Sequence, residues 1–473
     1  MDIQAVAKIA PSERQLKWNR MEMNAFVHFG VNTFMDSEWG SGKEDPGIFR
    51  PEKLDAAQWV RACKDAGIKG LILTCKHHDG FCLWPSAFTE HSVKNSPWKN
   101  GKGDVVKEVS DACRAEGLKF GVYLSPWDRN HPLYGDDCDA YNTYFLNQLR
   151  ELLTNYGDIF CVWFDGACGE GASGRKQYYD WEAYYALIRE LQPEAVISIC
   201  GPDVRWCGNE AGKSRESEWS VVPVSCADIC KIAERSQQAD DAEFIKKFSY
   251  DDEDLGSREV IRNEPELMWY PCEVNTSIRP GWFYHEAHDN QVRSLDELIR
   301  IYYGSVGGNS CFLLNIPPNK EGLFHENDVQ RLRELGQFIR KTFGKNVADG
   351  AQIAADNTKD GFAAEAMLQQ NPDTYWCTDE GVETANIEIK LSAVSTFDRI
   401  VLQECIRQGQ RIEKFKIAYF DSGEWKPLYA GTVVGYKKIC CFDMVTTDRI
   451  KITIEESRWQ PTLSFVGVYQ EQR

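Results

Sequence analysis

The stretch Gly70-Leu-Ile-Leu-Thr-Cys-Lys-His-His-Asp-Gly-Phe81 gives the clearest indication of the fold. An apolar run, Gly70–Thr74, is followed closely by the adjacent histidines His77 and His78, an acid and a glycine. Parallel strands that are buried on both faces have such runs, and an α/β barrel carries its chemistry on the loops that follow its strands. The segment therefore predicts a barrel strand that delivers active-site residues, and we expect an enzyme.

The same kind of pattern extends over most of the chain. From about residue 23 to residue 342, apolar runs alternate with amphipathic helices, which is typical of a parallel sheet covered by helices. The candidate strands are Ala25–Val31, Gly70–Thr74, Lys119–Ser125, Ile159–Phe164, Ala195–Cys200, Glu266–Tyr270 and Ser310–Ile316. The candidate helices are Ala56–Asp65, Val105–Glu116, Tyr141–Tyr156, Tyr178–Leu191, Leu295–Ile301 and Asp328–Thr342. These elements predict an irregular (β/α)8-like barrel, with a doubly wound sheet as the alternative, which the lack of a G-x-G-x-x-G turn disfavours.

Three segments are predicted from the change in pattern along the chain. A catalytic barrel over residues 1–345 is followed by a polar, small-residue linker over residues 346–361. Short alternating runs then fill residues 362–473, and this pattern is typical of an antiparallel β-sandwich. Between Cys200 and Glu266 the barrel pattern lapses into a polar, acid-rich insertion, which includes Tyr250-Asp-Asp-Glu-Asp254. Long insertions after strands often shape pockets, but most of this one is predicted as a solvated surface loop.

The composition indicates a globular protein that does not bind nucleic acid. Hydrophobic residues make up 42% and charged residues 27% of the 473 residues, which is ordinary for a folded chain. The formal net charge of −18 and the lack of Lys/Arg clusters argue against phosphate binding, so we expect a neutral or cationic substrate. Several of the 15 tryptophans stand beside turn residues, where their rings can stack on sugars, so carbohydrate is the favoured substrate class.

The 17 cysteines lie largely in apolar runs and are predicted to be reduced thiols that pack as small hydrophobic residues. The sequence has no CxxC pair and no Cys/His spacing suited to zinc, so no metal site and no cofactor are predicted. No apolar run is long enough to cross a membrane, and no signal-like segment lies near Met1, so we expect no membrane association.

Two carboxylates are the candidate catalytic groups. Asp165 directly follows the apolar run Ile159–Phe164, and Glu210 lies shortly after the next predicted strand. A buried ionised carboxylate is costly, so Asp165 needs a function there, the alternative being a helix N-cap. Because the end-loops of neighbouring strands lie close together, the two acids can face one cavity. Such a pair can cleave a glycosidic bond with retention, one acid acting as nucleophile and the other as proton donor.

Several motifs together resemble the α-L-fucosidases of glycoside hydrolase family 29. The resemblance covers roughly residues 15–345, with the motifs in consistent order. The motifs are Phe26-Val-His-Phe-Gly30, Lys76-His-His-Asp-Gly-Phe81, Trp163-Phe-Asp-Gly166, Gly208-Asn-Glu210, Ser277-Ile-Arg-Pro-Gly-Trp-Phe-Tyr284 and Leu314-Asn-Ile-Pro-Pro-Asn319. The resemblance implies a retaining exo-glycosidase that acts on fucosylated oligosaccharides or glycoconjugates.

The resemblance also implies roles for individual residues. Asp165 matches the nucleophile, and Glu210 matches the acid/base of the subgroup that prefers α-1,3 and α-1,4 linkages in branched Lewis-type glycans. Glu273 is the alternative acid/base. The residues expected to bind fucose or line the rim of the pocket are His28, Glu38, Trp39, His77, His78, Trp127, Trp163, Trp206, Arg279 and Trp282. Asn275 stands where related sequences are expected to have aspartate.

The C-terminal region resembles discoidin, or coagulation-factor type C, domains and family 32 carbohydrate-binding modules from about Asp356 to Val468. Asp373-Thr-Tyr-Trp-Cys377 carries part of this resemblance. Sugar binding and a scaffold role packed against the barrel are both open. The family's usual roles indicate a periplasmic or extracellular location, whereas the thiol content favours a reducing cytosol, and the oligomeric state is not indicated.

Two other functions are consistent with parts of the sequence. A metal-dependent hydrolase can use adjacent histidines and acids at strand ends, but it needs further ligands and is inactivated by chelators. A non-catalytic sugar-binding protein can use the same barrel, although both candidate acids are present. Release of free fucose from a fucosylated trisaccharide without added metal distinguishes the glycosidase from both alternatives.

Overall fold

The computed structural model describes residues 2–236 and 254–473, and a parallel sheet organises its first two thirds. The strands up to residue 315 are β1 (Met23–Val27), β2 (Gly70–Lys76), β3 (Lys119–Leu124), β4 (Ile159–Phe164), β5 (Val196–Ile199), β6 (Arg205–Trp206), β7 (Val221–Pro223), β8 (Leu267–Trp269), β9 (Cys272–Ser277) and β10 (Ser310–Asn315). The helices are α1 (Ile3–Val6), α2 (Glu13–Asn19), α3 (Val31–Met35), α4 (Ala56–Asp65), α5 (Val105–Glu116), α6 (Cys138–Asn155), α7 (Trp181–Leu191), α8 (Ile229–Ser236), α9 (Arg258–Ile261), α10 (Leu295–Ser305) and α11 (Glu326–Phe343).

Eight of these strands form a nearly closed barrel. Their order around the sheet is β5-β4-β3-β2-β1-β10-β9-β6, and every neighbouring pair is parallel. A parallel bridge between Ser198 and Val204 joins β5 to the residue just before β6. The strands are buried on both faces, as expected of a barrel covered by helices. The predicted (β/α)8-like fold is confirmed.

One predicted barrel strand is wrong. Glu266–Tyr270 contains β8, which pairs antiparallel with β7 in a separate two-stranded sheet. The barrel strands in this region are β9 and the two-residue β6, neither of which was predicted. Polar residues such as Glu273 and Asn275 interrupt the apolar pattern of β9, and β6 is too short to produce a pattern. The first predicted strand is also too long, because Val31 begins α3.

Polar caps fix the starts of the helices between the barrel strands. The side chains of Asp55, Asp104, Asp137 and Asp180 each accept a hydrogen bond from a backbone N–H in the first turn of α4, α5, α6 and α7. Ser294 forms a capping box with Glu297 at the start of α10. Of the helices in residues 2–236 and 254–473, none combines the length with the apolar character needed to cross a bilayer.

The insertion between Cys200 and Glu266 is only partly a surface loop. It contains β6, β7, α8 and α9, and the side chains of Trp219, Val221 and Val222 within it are buried. The prediction of a solvated loop is therefore wrong for residues 219–222, because they pack against both the barrel and the second domain. Most of the predicted acid-rich stretch, residues 250–253, lies outside the described residues.

The second domain is antiparallel. Its strands are β11 (Gln352–Ala355), β12 (Trp376–Cys377), β13 (Ala385–Gln403), β14 (Ile412–Asp421), β15 (Glu424–Gly431), β16 (Lys438–Ser457), β17 (Thr462–Leu463) and β18 (Phe465–Tyr469). The main sheet has the order β11-β13-β16-β14-β15, with β18 also paired to β13, and β12 pairs with β17. Alternate residues of β13 are buried, as the period-2 pattern predicts, and the fold class of a β-sandwich is confirmed. Strand β11 lies within the stretch 346–361 that the sequence predicts as a linker.

Candidate active site

The C-terminal ends of the barrel strands bring most of the predicted site residues together. Asp165 follows β4, and its side chain is 20% exposed. The Tyr123 hydroxyl donates to Asp165 Oδ2 at 2.8 Å, and the Ala167 backbone N–H donates to Oδ1 at 2.8 Å. These bonds stabilise the charged carboxylate and fix its orientation. No helix begins after Asp165 before α7, so this residue is not a helix N-cap.

Three buried histidines form a cluster beside this carboxylate, with the rings of His28 and His77 5.6 Å apart. His78 Nε2 lies 3.8 Å from Asp165 Oδ2, and the rings of His77 and His78 are 4.0 Å apart. Burial lowers the pKa of His78 to about 4 and that of His28 to about 3, and it holds the pKa of His77 well below its ordinary value. All three imidazoles are therefore neutral at pH 7.

Hydrogen bonds at the other ring nitrogens define which atoms are free to accept. His28 Nδ1 lies 2.8 Å from Asn315 Oδ1, an acceptor, so Nδ1 carries the proton of His28. His78 Nδ1 lies 2.7 Å from Ser125 Oγ, whose own hydrogen is donated to the Trp127 carbonyl. Both rings thus present an Nε2 lone pair that can accept a hydrogen bond from a sugar hydroxyl.

Glu210 has a contrasting environment. It lies on the loop after β6, and the Trp282 indole N–H donates to its Oε2 at 3.1 Å. Burial raises the pKa of Glu210 to about 8, the Asp165 carboxylate adds to this rise, and the Trp282 hydrogen bond opposes it. At pH 7 this side chain is a protonated acid within the electrostatic influence of Asp165. The influence of Asp165 on the pKa of Glu210 shows that the two carboxyl groups lie close enough to interact electrostatically.

Glu273, the alternative acid, lies deeper in the barrel. It is on β9, almost fully buried, and accepts a hydrogen bond from the Trp163 indole N–H at 2.8 Å. Burial raises the pKa of Glu273 to about 7, while the Trp163 bond lowers it. The raised pKa alone therefore does not distinguish Glu273 from Glu210. Unlike that of Glu210, the shifted pKa of Glu273 has no contribution from Asp165 among its causes.

Comparison with known proteins identifies the family. The family profile described as Alpha-L-fucosidase matches residues 3–343. The chain belongs to the alpha-L-fucosidase family. It is a glycoside hydrolase of family 29, as the sequence motifs predict, and its enzymatic class is confirmed. A second profile, described as F5/8 type C domain, matches residues 352–466 of this fucosidase, in agreement with the predicted discoidin-like domain.

Individual relatives extend over nearly the whole fucosidase. "Alpha-L-fucosidase 1" of Arabidopsis thaliana is 39% identical over 470 residues, which are 98% of this chain and 87% of the relative. The structure of a glycoside hydrolase 29 family member from an unknown rumen bacterium is 41% identical, covers 98% of this chain and 78% of its own, and has a TM-score of 0.80. A Ruminococcus gnavus GH29 fucosidase solved in complex with fucose is 33% identical, covers 98% and 96%, and has a TM-score of 0.85.

Glu38 and Trp39 lie at the edge of the fucosidase site. Glu38 accepts hydrogen bonds from the Trp282 and Phe283 backbone N–H groups at 2.7 and 3.2 Å, and from His285 at 2.7 Å. It therefore holds the segment that contacts Glu210. The Trp39 ring packs perpendicular to His78, with ring centroids 5.8 Å apart.

Trp127 and Trp206 occupy two other positions around the fucosidase site. The Trp127 ring lies 5.1 Å from the ring of His78, and its buried indole N–H has no hydrogen-bond partner in the described part of the chain. Trp206 donates to Asn275 Oδ1 at 3.1 Å, so the amide at position 275 supplies an acceptor where aspartate was expected.

Arg279 is placed elsewhere. Its side chain is fully buried, and its guanidinium group is bonded to Asp328, with Nη2 to Oδ2 at 2.8 Å, and to Asp289 at 2.9 Å. It also lies over the Tyr284 ring. These bonds tie the loop after β9 to α11. The structure therefore gives Arg279 a stabilising ion pair and does not bring it to the rim of the pocket.

Sequence reasoning missed three residues that shape the site. The Tyr123 hydroxyl on β3 donates a hydrogen bond to Asp165, and the Asn315 side chain on β10 orients the His28 ring. His285 bridges Asp36 and Glu38. Asn315 ends β10, and Tyr123 lies one residue before the end of β3, so a polar group near the end of an apolar strand was the available signal.

A metal ion is the other ligand that the histidines could hold. One ligand atom from each of His77, His78 and Asp165 lies within 4.8 Å of the other two. Neutral imidazoles and a carboxylate are suitable ligands for a divalent transition metal. The imidazoles can equally accept hydrogen bonds from sugar hydroxyls, and this chemistry agrees with the family.

Proposed function

We propose that this alpha-L-fucosidase is a retaining exo-enzyme for α-1,3- and α-1,4-linked fucose in branched, Lewis-type glycans, with Asp165 as nucleophile and Glu210 as acid/base. The observation that carries the proposal is the difference between the environments of the two carboxyl groups. Asp165 is held by hydrogen bonds that favour its charged form, whereas Glu210 has a pKa raised to about 8.

In the first step, Asp165 attacks the anomeric carbon while the bond to the leaving oxygen breaks. Glu210 gives its proton to that oxygen, so the aglycone leaves as an alcohol and the enzyme holds a fucosyl ester. In the second step, the Glu210 carboxylate takes a proton from water. The water oxygen attacks the anomeric carbon, and Asp165 leaves as the carboxylate. Two inversions give net retention.

The neutral histidines support substrate binding in this mechanism. The Nε2 lone pairs of His28 and His78 can accept hydrogen bonds from sugar hydroxyls. A hydroxyl bound between His78 and Asp165 would lie beside the reacting carbon. The preference for branched α-1,3 and α-1,4 linkages is supported by the resemblance of the Gly208-Asn-Glu210 segment to that subgroup.

A digestion panel tests the proposal. Fucosides linked α-1,2, α-1,3, α-1,4 and α-1,6, including a Lewis-type trisaccharide, are incubated with the enzyme in the presence of EDTA, and proton NMR follows the anomer released first. We expect fastest release from the branched α-1,3 or α-1,4 substrates and α-fucose as the first product. First appearance of β-fucose would disprove retention, preferential cleavage of α-1,2 or α-1,6 fucosides would disprove the specificity, and inactivation by EDTA would favour the metal-dependent alternative.

A further inference from the structure

We infer that the β-sandwich positions the proton donor of the barrel, by clamping the loop that carries Glu210. This inference rests on the proposed role of Glu210. The Glu210 loop is defined as residues 207–220, between β6 and β7. It has no helix or strand, and Gly208 and Gly212 on either side of Glu210 adopt positive φ angles of 101° and 74°. Such a segment depends on tertiary contacts for a fixed conformation.

The two arms of the Glu210 loop are joined by a buried ionic group. Glu218 is fully buried and forms ion pairs with Arg205 on β6 and with Arg215, which lies after Glu210 in the second arm of the loop, residues 211–220. Arg215 Nη1 also donates to the Cys207 carbonyl at 3.2 Å. Because these charges are buried, displacement of one leaves the others unpaired, so the position of Glu218 determines how the arms are held together.

The sandwich directly contacts the second arm of the loop, at residues 217–220. The Gln410 side chain accepts from the Ser220 backbone N–H at 2.7 Å and donates to the Glu218 carbonyl at 3.3 Å. Thr432 exchanges a hydroxyl hydrogen bond of 2.7 Å with Ser217. Gln410 is fully buried, so its two bonds are protected from water.

Packing reinforces these hydrogen bonds. The Arg458 guanidinium lies over the Trp219 ring at 3.8 Å, and Val433 belongs to the same buried cluster as Trp219. Asn309, just before β10, connects barrel and sandwich at this point. Its Nδ2 donates to the Glu218 carbonyl at 2.8 Å, and its Oδ1 accepts from the Tyr436 backbone N–H at 2.7 Å.

Nearer to Glu210, the contacts of the loop are with the barrel. Ser214 donates to the Gly304 carbonyl at 2.6 Å, and Glu210 itself accepts from Trp282. A general acid must lie within hydrogen-bond reach of the leaving oxygen, so small displacements of the loop reduce proton donation. Asp165 is held by barrel residues and is unaffected by such displacements. Loss of the clamp therefore affects substrates that need a proton donor and spares those that do not.

The experiment compares two clamp variants with a matched control. Gln410→Ala removes both bonds to the loop, and Thr432→Val removes only the Ser217 bond while keeping the side-chain shape. Tyr436→Phe is the control, because its hydroxyl crosses the same domain interface to Glu22, at 3.1 Å, and does not reach the loop. For each full-length variant, kcat/KM is measured on a Lewis-type trisaccharide and on an aryl fucoside with an activated leaving group, and thermal unfolding monitors the fold.

We expect Gln410→Ala to lower kcat/KM on the trisaccharide by about tenfold while aryl fucoside cleavage changes by less than about twofold. Thr432→Val should show the same selectivity with a smaller loss, and Tyr436→Phe should show none. Unchanged activity, or equal losses on both substrates, in Gln410→Ala and Thr432→Val would overturn the inference. Glu210→Ala is run in parallel: if it also lacks the selectivity, the proposed acid is wrong, and if it alone shows it, only the positioning role of the sandwich is wrong.

Discussion

The two carboxyl groups that we propose as catalytic are held by different parts of the molecule. Asp165 directly follows β4 and is bonded to Tyr123 on β3 and to Ala167 two residues later, all within the barrel. Glu210 lies on an irregular loop, contacts Trp282, and depends on a segment that the sandwich covers. The proposed nucleophile is thus fixed within the barrel, whereas the proposed proton donor is fixed by contacts between segments that are distant in sequence.

This difference has a chemical counterpart. The bonds to Asp165 favour a charged group, as a nucleophile requires, and the burial of Glu210 favours a neutral group, as a proton donor requires. A rigid strand suits a nucleophile that must lie in line with one bond. An irregular loop can hold a proton donor at the leaving oxygen only where tertiary contacts fix its conformation. Substitutions that act on one carboxyl group and spare the other test this comparison.

The largest effect is expected from Asp165→Gly. Without the nucleophile the fucosyl ester cannot form, so kcat should fall by about 10⁴-fold or more. Sodium azide should partly restore the cleavage of an activated aryl fucoside, because the small anion fits the space left by the side chain. The product should be a fucosyl azide of inverted configuration, identified by NMR. Full activity of Asp165→Gly without azide would disprove the assignment.

Glu210→Ala should give a selective loss. We expect kcat/KM on a Lewis-type trisaccharide to fall by about 10²- to 10⁴-fold, because general acid catalysis contributes that much. An aryl fucoside with a good leaving group should lose far less, since it departs without protonation. The comparison is Glu273→Gln, which keeps the size of the side chain that accepts from Trp163. If Glu273→Gln shows the selective loss and Glu210→Ala does not, Glu273 is the acid.

How much of the fold could be predicted from sequence depends on whether a strand is uniformly apolar or carries polar residues. Strands β2, β3, β4 and β10 carry continuous apolar runs and were predicted close to their observed bounds. Strands β6 and β9 were not, because β6 has two residues and β9 places polar side chains inside the barrel. Apolar periodicity reports burial in a uniform environment, and it fails where a strand contributes to a polar site.

Among the site residues, those that follow apolar runs could be predicted, and those set by contacts between strands could not. Asp165, His77 and His78 were predicted because each follows an apolar run. Their partners Tyr123 and Asn315 are set by the geometry across neighbouring strands, which a single sequence does not display. Arg279 was expected at the pocket rim because it lies in a motif of the family, but a motif does not show which contacts the side chain makes. The buried Asp328 on α11 determines that its role is an ion pair.

The smallest effect is expected from Trp282→Phe, which keeps an aromatic ring and removes the indole N–H that donates to Glu210. The hydrogen bond favours the charged form and lowers the pKa of Glu210, so its loss should raise that pKa above about 8. Glu210 must be protonated to act, and activity is lost as pH rises through its pKa. The basic limb of the kcat/KM profile on the trisaccharide should therefore move to higher pH.

At pH 7 the same variant should lose about tenfold in kcat/KM on the trisaccharide, because one hydrogen bond that orients a charged or reacting carboxyl group is worth about that much. Trp39→Phe is the matched control, since Trp39 packs against His78 rather than Glu210 and its loss should leave the basic limb in place. A basic limb that stays fixed in Trp282→Phe, or that moves equally in Trp39→Phe, would show that the limb reports another group. In that case the contrast between a strand-held nucleophile and a loop-held acid would no longer explain the pH dependence.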